Sequence, residues 1–129
     1  MKIFKFYDTS SLLLKIDTLF ENSEDNIVIS SITLNELENI KTSNNKDPDI
    51  KFAARKLLHL LDENMDKYTI HIFSNSMLKP LEEKNIMIND DARILATAID
   101  FKNSIVDNQS IIFITNDLSL NHLALLYFN

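Results

Sequence analysis

The chain contains no glycine. That absence removes a G-x-x-x-x-G-K phosphate loop, a G-x-G-x-x-G dinucleotide turn and a G-x-S-x-G nucleophile elbow, all of which need glycine. Nucleotide hydrolysis and Rossmann redox chemistry are therefore poor expectations. Cysteine is absent too, so there is no disulfide framework and no thiolate zinc site. With no paired-histidine spacing either, zinc is disfavoured. No apolar run approaches the length of a membrane span, and the opening Met1 to Phe6 is too short and too soon polar for a secretory signal. The expectation is a cytoplasmic protein without a membrane partner. Positive charge is also scarce, with 13 Lys and Arg against 19 Asp and Glu for a net −6. Such a surface repels nucleic acid unless bound divalent ions reverse the local field.

What remains is the composition of one globular domain over residues 1–129, 45% hydrophobic and 25% charged. Its 15 asparagines are expected to take the left-handed turn positions, which Asn tolerates best after Gly.

Apolar runs at 3–7, 27–29, 68–73 and 111–114 predict four buried strands. Helical spacing predicts helices over 11–21, 33–41, about 48 to 65 and about 118 to 127, and a further helix opening at Asn89-Asp90-Asp91 with Ile94, Leu95, Ala98 and Ile99 as its buried stripe. In the first, Leu12, Leu13, Ile16, Leu19 and Phe20 share a face. Asp47-Pro48 is a helix start with an N-cap acid and Pro at the first position. Phe52, Ala53, Leu57, Leu60 and Leu61 are expected inward on that helix. Residues 74–89 read as loop, with Pro80 as a breaker. The alternation predicts a parallel sheet covered on both faces, a three-layer α/β/α sandwich with four or five strands.

Four acids stand at strand ends or helix starts: Asp8, Glu36, Asp91 and Asp117. In a parallel sheet, strand ends of one kind face the same side, so acids distant in sequence can converge. Each also has a capping explanation. Thr33-Leu-Asn-Glu36 matches a capping box, and Asp8, Asp90 or Asp91, and Asn116 or Asp117 fit N-caps. As a set they would repel one another at an empty rim. Hard cations such as Mg²⁺ or Mn²⁺, which prefer oxygen ligands, remove that repulsion, and two such ions can drive phosphodiester cleavage.

Phe6-Tyr-Asp8-Thr-Ser-Ser-Leu-Leu13, Ile29-Ser-Ser-Ile-Thr-Leu-Asn-Glu36-Leu, Asp91-Ala-Arg-Ile-Leu-Ala-Thr-Ala98 and Thr115-Asn116-Asp117 resemble, in order and spacing, the four motifs of the PIN domain family. The resemblance implies a metal-dependent endoribonuclease of α/β/α fold acting on single-stranded RNA. It implies one or two Mg²⁺ or Mn²⁺ ions on Asp8, Glu36, Asp91 and Asp117, and water activated by metal rather than by a side chain. Thr9, Ser10, Thr115 and Asn116 would orient those carboxylates. Asp90 would assist or replace Asp91, which is preferred because it lies three residues before Ile94. The alternative within the same resemblance is a weak or inactive PIN-like module that binds RNA or protein.

Ser30 to Lys41 most resembles the PIN domain that precedes PhoH-like ATPases. A separate ATPase or an antitoxin is a candidate protein partner. Two departures from the family pattern stand out. A further acid after the fourth motif is missing, with Ser119 and Asn121 in its region. The final edge strand is missing or very short, which would leave the sheet edge open or paired with another copy in a homo-oligomer.

Lys41, Lys46, Lys51, Arg55 and Lys56 form the densest basic stretch. Lys41, Lys46, Arg55 and Arg93 are candidates for holding RNA phosphate, set against a solvated helix face. His59 and His71 read as structural, and Phe4, Phe6, Phe73 and Phe113 as core.

Overall fold

The computed structural model describes residues 1–128. Four parallel strands form one sheet: β1 (Lys2–Tyr7), β2 (Asn26–Ser30), β3 (Tyr68–His71) and β4 (Gln109–Ile114), in spatial order β3-β2-β1-β4. The chain steps outward from β1 to β3, then returns across the sheet to place β4 on the far side of β1. The order reverses between β1 and β4, which makes the crevice at their C-terminal ends the switch point where open α/β sheets bind ligands.

Side-chain alternation along the strands assigns the layers. Tyr7, Ile27 and Ile29 point to one face and pack with α1 (Thr9–Leu14), α2 (Ser31–Thr42) and α3 (Pro48–Glu63). Phe6 and Val28 point to the other face and meet Ile94 and Ala98 of α5 (Asp90–Ser104). A further cluster on α5 joins α4 (Lys79–Glu82) and α6 (Leu118–Ala124). The crossovers change face where the chain reverses direction, as right-handed connections require. The expected three-layer parallel architecture is present, with four strands.

Several boundaries differ from the sequence expectation. The first helix begins earlier, because Asp8 caps it, and ends at Leu14 rather than 21. Beyond it, Lys15 N–H bonds to Leu12 O, Thr18 N–H to Lys15 O and Glu21 N–H to Thr18 O. This run of three-residue turns still turns Leu19 inward. The second helix starts at Ser31, capped by Ser30, not at 33. Strand β3 stops at His71, not Phe73. Residues 74–89 are not simply loop: a 3₁₀ turn at Asn75–Leu78 leads into α4, where Pro80 sits in the first turn, the one part of a helix that spares the proline's missing N–H. On α3 the buried stripe is Ala54, Leu57 and Leu61, and Phe52 is 60% exposed.

Asn85 and Asn108 hold positive φ, 57° and 70°, the positions a glycine would otherwise take. Among the described residues no helix is long and apolar enough to cross a membrane.

Ile94 sits fully buried where α5 meets the sheet. Ile94→Ala is expected to destabilise by about 2–5 kcal/mol, and Phe52→Ala by no more than about 0.5 kcal/mol, in urea unfolding followed by circular dichroism.

Candidate active site

Asp8 leaves the end of the central strand β1 and caps α1, with only 2% of its surface exposed. A buried carboxylate needs hydrogen-bond donors, and the local sequence supplies them. Ser11 donates its N–H (2.9 Å) and its hydroxyl (2.6 Å) to Oδ1, and the Ser10 hydroxyl lies 3.2 Å from both oxygens. From the neighbouring strand end, the Thr115 hydroxyl donates to Oδ2. Asp8 N–H also bonds to Ile114 O at 3.1 Å, and the Ser11 hydroxyl is 2.9 Å from that carbonyl. The ends of β1 and β4 are stitched together around this one carboxylate.

Asp117 caps α6 just beyond β4, taking the Leu120 N–H at 3.0 Å, while its own N–H bonds to Thr115 Oγ1 at 3.0 Å. Thr115 thus spans the two acids. For Asp8 and Asp117 the capping explanation is correct as far as it goes. Capping occupies one oxygen of Asp117, and its side chain remains exposed toward the rim.

Glu36 and Asp91 are not caps. Helix α2 is capped by Ser30, which receives the Ile32 N–H at 3.1 Å, so the Thr33–Glu36 capping box does not form. Thr33 is instead buried, and the Thr9 hydroxyl reaches both Thr33 Oγ1 (3.1 Å) and Glu36 Oε1. Its single proton goes to the charged acceptor. Helix α5 is capped by Asn89, whose Oδ1 takes the Ala92 N–H at 2.9 Å. Asp90 pairs with Arg93 at 2.9 Å. Asp91, half-buried, has no hydrogen-bond or ion-pair partner among the described residues.

Electrostatics tie the group together. The Glu36 carboxyl is pushed above its ordinary value, first by burial and then by the charges of Asp90, Asp91 and Asp8, with the Thr9 bond acting the other way. Asp91 is pushed up by burial and then by Asp117, Asp8 and Asp90. Acids from β1, β4 and both helical layers therefore lie within one another's fields. No lysine or arginine pairs with any of the four among the described residues. Nor do any three acidic or imidazole side chains there stand at ligating separation as they are placed. The four are neighbours that would have to draw closer around a cation, and their all-oxygen donor set suits Mg²⁺ or Mn²⁺.

The remaining candidates divide. Thr9, Ser10 and Thr115 contact the acids as expected, whereas Asn116 is exposed and its side chain bonds to none of them. Arg93 is at the rim, held by Asp90. Lys41 and Arg55 line a groove between α2 and α3 that contains none of the four acids and reaches Tyr68, at the opposite end of the strands. Lys41 is paired there with Glu38 at 3.1 Å. Lys46 is exposed on the loop between α2 and α3.

Sequence reasoning passed over Ser11, Thr33 and the Ser30–Thr97 pair. Ser11 was within reach, because the third residue after an N-cap acid is its usual donor. Ser30 donates to Thr97 Oγ1 (2.9 Å), which donates to Arg93 O (2.7 Å), tying the end of β2 to the rim end of α5. That contact spans 67 residues and leaves no local pattern.

A family model described as PIN domain matches residues 6–127. No curated protein sequence matches the chain. Among solved structures, the chain is similar in fold to one in a crystal structure of VapBC2 from Rickettsia felis bound to a DNA fragment from their promoter. The two share 22% identity with a TM-score of 0.54, covering 93% of this chain and 92% of that one.

The raised carboxyls set a pH dependence. In the window between the ordinary and raised values, the folded protein holds more protons than the unfolded chain, so stability falls as pH rises through it. Glu36→Gln and Asp91→Asn are expected to raise the melting temperature at neutral pH without added metal and to flatten this slope, read by calorimetry from pH 4 to 7.

Proposed function

The chain belongs to the PIN domain family of nucleases, and on that premise we propose that it is an endoribonuclease using Mg²⁺ or Mn²⁺ to hydrolyse single-stranded RNA. The observation that carries the reading is the gathering of acids at the switch point of the sheet, where burial first and neighbouring acids second push up the carboxyls of Glu36 and Asp91. Mutually repelling carboxylates are costly to hold together and are kept where a cation gathers them.

In this reading Asp8, Glu36, Asp91 and Asp117 hold one or two ions. When bound there, the metal would supply activation of the attacking water and countercharge for the leaving oxygen. The chain's own residues position. Ser11 and Thr115 hold Asp8 with both oxygens directed by donors, and Thr9 orients Glu36. Among the described residues Asp91 has no partner that it would have to give up to ligate. Arg93 neutralises Asp90 and is the cation nearest the acids along α5, which suits it to meet an RNA phosphate once the cluster's charge is compensated. Lys41, Lys46 and Arg55, set apart from the rim, would meet only more distant parts of a substrate. A flap-type DNA substrate is the less suited alternative, since it calls for more acids and a helical arch.

The same proposal includes the finer likeness to the PIN domain preceding PhoH-like ATPases, a cytoplasmic setting, and a protein partner such as an antitoxin or a separate ATPase. A non-cleaving PIN-like binding module is the second reading, favoured by the acids not standing at ligating separation among the described residues.

Two measurements separate these readings. With labelled RNA and single-stranded DNA in Mn²⁺, Mg²⁺ or EDTA, the wild type is expected to cut RNA only with metal. Asp8→Asn and Asp117→Asn should abolish cutting, and Thr115→Val should reduce it about 10–100-fold. Equal cleavage by wild type and both acid variants would end the nuclease proposal. In thermal unfolding, Mn²⁺ at a hundred times its dissociation constant should stabilise the wild type by about 2.7 kcal/mol. No gain would favour the binding module.

A further inference from the structure

Among the described residues Phe52 is the one aromatic side chain that stands open to solvent, at 60% exposure. The other phenylalanines and the tyrosines all join the apolar clusters against the sheet. The Phe52 ring neither packs against another ring nor lies beneath a cation there. Its place on α3 is the cause. Ala54, Leu57 and Leu61 form the inward stripe of that helix. Phe52 falls on the opposite side with Arg55, Lys56 and His59, which are exposed too. Their spacings of three, four and seven put all four on one helix face.

The cations beside the ring are available. Arg55 has no ion-pair partner among the described residues. Lys56 meets Asp17 at 3.1 Å, with both side chains largely in solvent, and such a pair contributes little and yields to a competing anion. Residues 41–56 hold five of the chain's 13 Lys and Arg but only two of its 19 Asp and Glu. On a chain of net charge −6, this is where a polyanion is attracted rather than repelled.

We propose that Phe52, Arg55 and Lys56 form a base-stacking platform on α3 that holds single-stranded RNA away from the acidic rim. Charge and ring together select this occupant. The two cations call for phosphate, and the open ring calls for a flat face that is not already stacked; a strand with unpaired bases offers both at once. A duplex keeps its bases within its own stack and would meet the cations alone. A protein surface could cover the ring, but the paired cations on an acidic chain favour the polyanion. The platform rests on the RNA reading given above and divides its labour. The helix face binds without a metal, and the rim cuts with one.

The chain has no tryptophan, so Phe52→Trp sets a single fluorescent reporter on the platform. In EDTA at low ionic strength, a single-stranded RNA oligonucleotide is expected to quench it. The same RNA should leave Val106→Trp, exposed on the loop before β4, unquenched. Phe52→Ala should weaken binding of the labelled oligonucleotide about 5- to 150-fold, with unchanged circular dichroism, and Phe52→Tyr should keep wild-type affinity. Arg55→Gln should lower the slope of log affinity against log salt by about 0.7. Duplex RNA should bind the wild type and Phe52→Ala alike. Equal quenching at both tryptophans, or unchanged affinity in Phe52→Ala, overturns the platform and leaves the ring to a protein partner. A wild type that binds no RNA in EDTA overturns it as well. If the wild type still cuts RNA with Mn²⁺ in those cases, the nuclease reading stands without the platform. Binding that depends on Phe52, with no cutting in any metal, supports the platform and removes the nuclease.

Discussion

The demand of one buried carboxylate organises the rim. Asp8 leaves the centre of the sheet with 2% of its surface exposed, and an ionised acid so placed is tolerable only when donors surround it. Ser10, Ser11 and Thr115 meet that demand, and in doing so join the start of α1, the end of β1 and the end of β4. Thr115 passes the constraint to Asp117 through its hydroxyl oxygen. Take away the Asp8 acceptor and the Ser11 and Thr115 hydroxyls lose their common partner, leaving the Asp8 N–H and Ser11 hydroxyl bonds to Ile114 O to join the two strand ends.

A second set of hydroxyls brings the helices to this centre. Thr9 carries Glu36 from α2, with Thr33 beneath it, and Ser30 with Thr97 holds α5 against the end of β2. In a chain without glycine, backbone cannot approach backbone closely by shedding a side chain, and small hydroxyl residues take over the packing at these junctions. The outcome is a crowded acidic rim that, among the described residues, no basic residue neutralises directly, apart from the Arg93 clasp on Asp90. Burial and mutual charge both work against ionisation of Glu36 and Asp91. The rim is thus held by neutral donors while its charge stays uncompensated, the condition in which a divalent cation has most to offer.

The acids differ in how tightly they are committed. Among the described residues, Asp8 is encircled, Asp117 gives one oxygen to a helix start, Glu36 takes one hydroxyl, and Asp91 takes none. A site assembled around a cation needs some ligands fixed and some free to close the last distance. On the proposed metal-binding reading, the gradient from Asp8 to Asp91 would supply both.

By itself the sequence was enough to determine the alternating parallel fold, the strand ends carrying Asp8 and Asp117, and the Asp47-Pro48 helix start. Those follow from periodicity and from cap chemistry, which act over a few residues. It misjudged the length of the first helix, the exposure of Phe52 and the role of Pro80, because Leu12 to Phe20 is equally apolar as helix or as successive turns, and only packing decides between them. Which acids are caps was also undecidable locally: Asn89 and Ser30 displaced the nearer candidates, so that neither Asp91 nor Glu36 caps a helix. That Lys41 and Arg55 lie in a different groove from the acids, and that Thr97 meets Ser30, was decided by tertiary structure alone. Helix α2 runs back along the sheet and carries Lys41 away from the rim where it began, and hydrogen bonds between residues 67 apart have no signature in a short window of sequence.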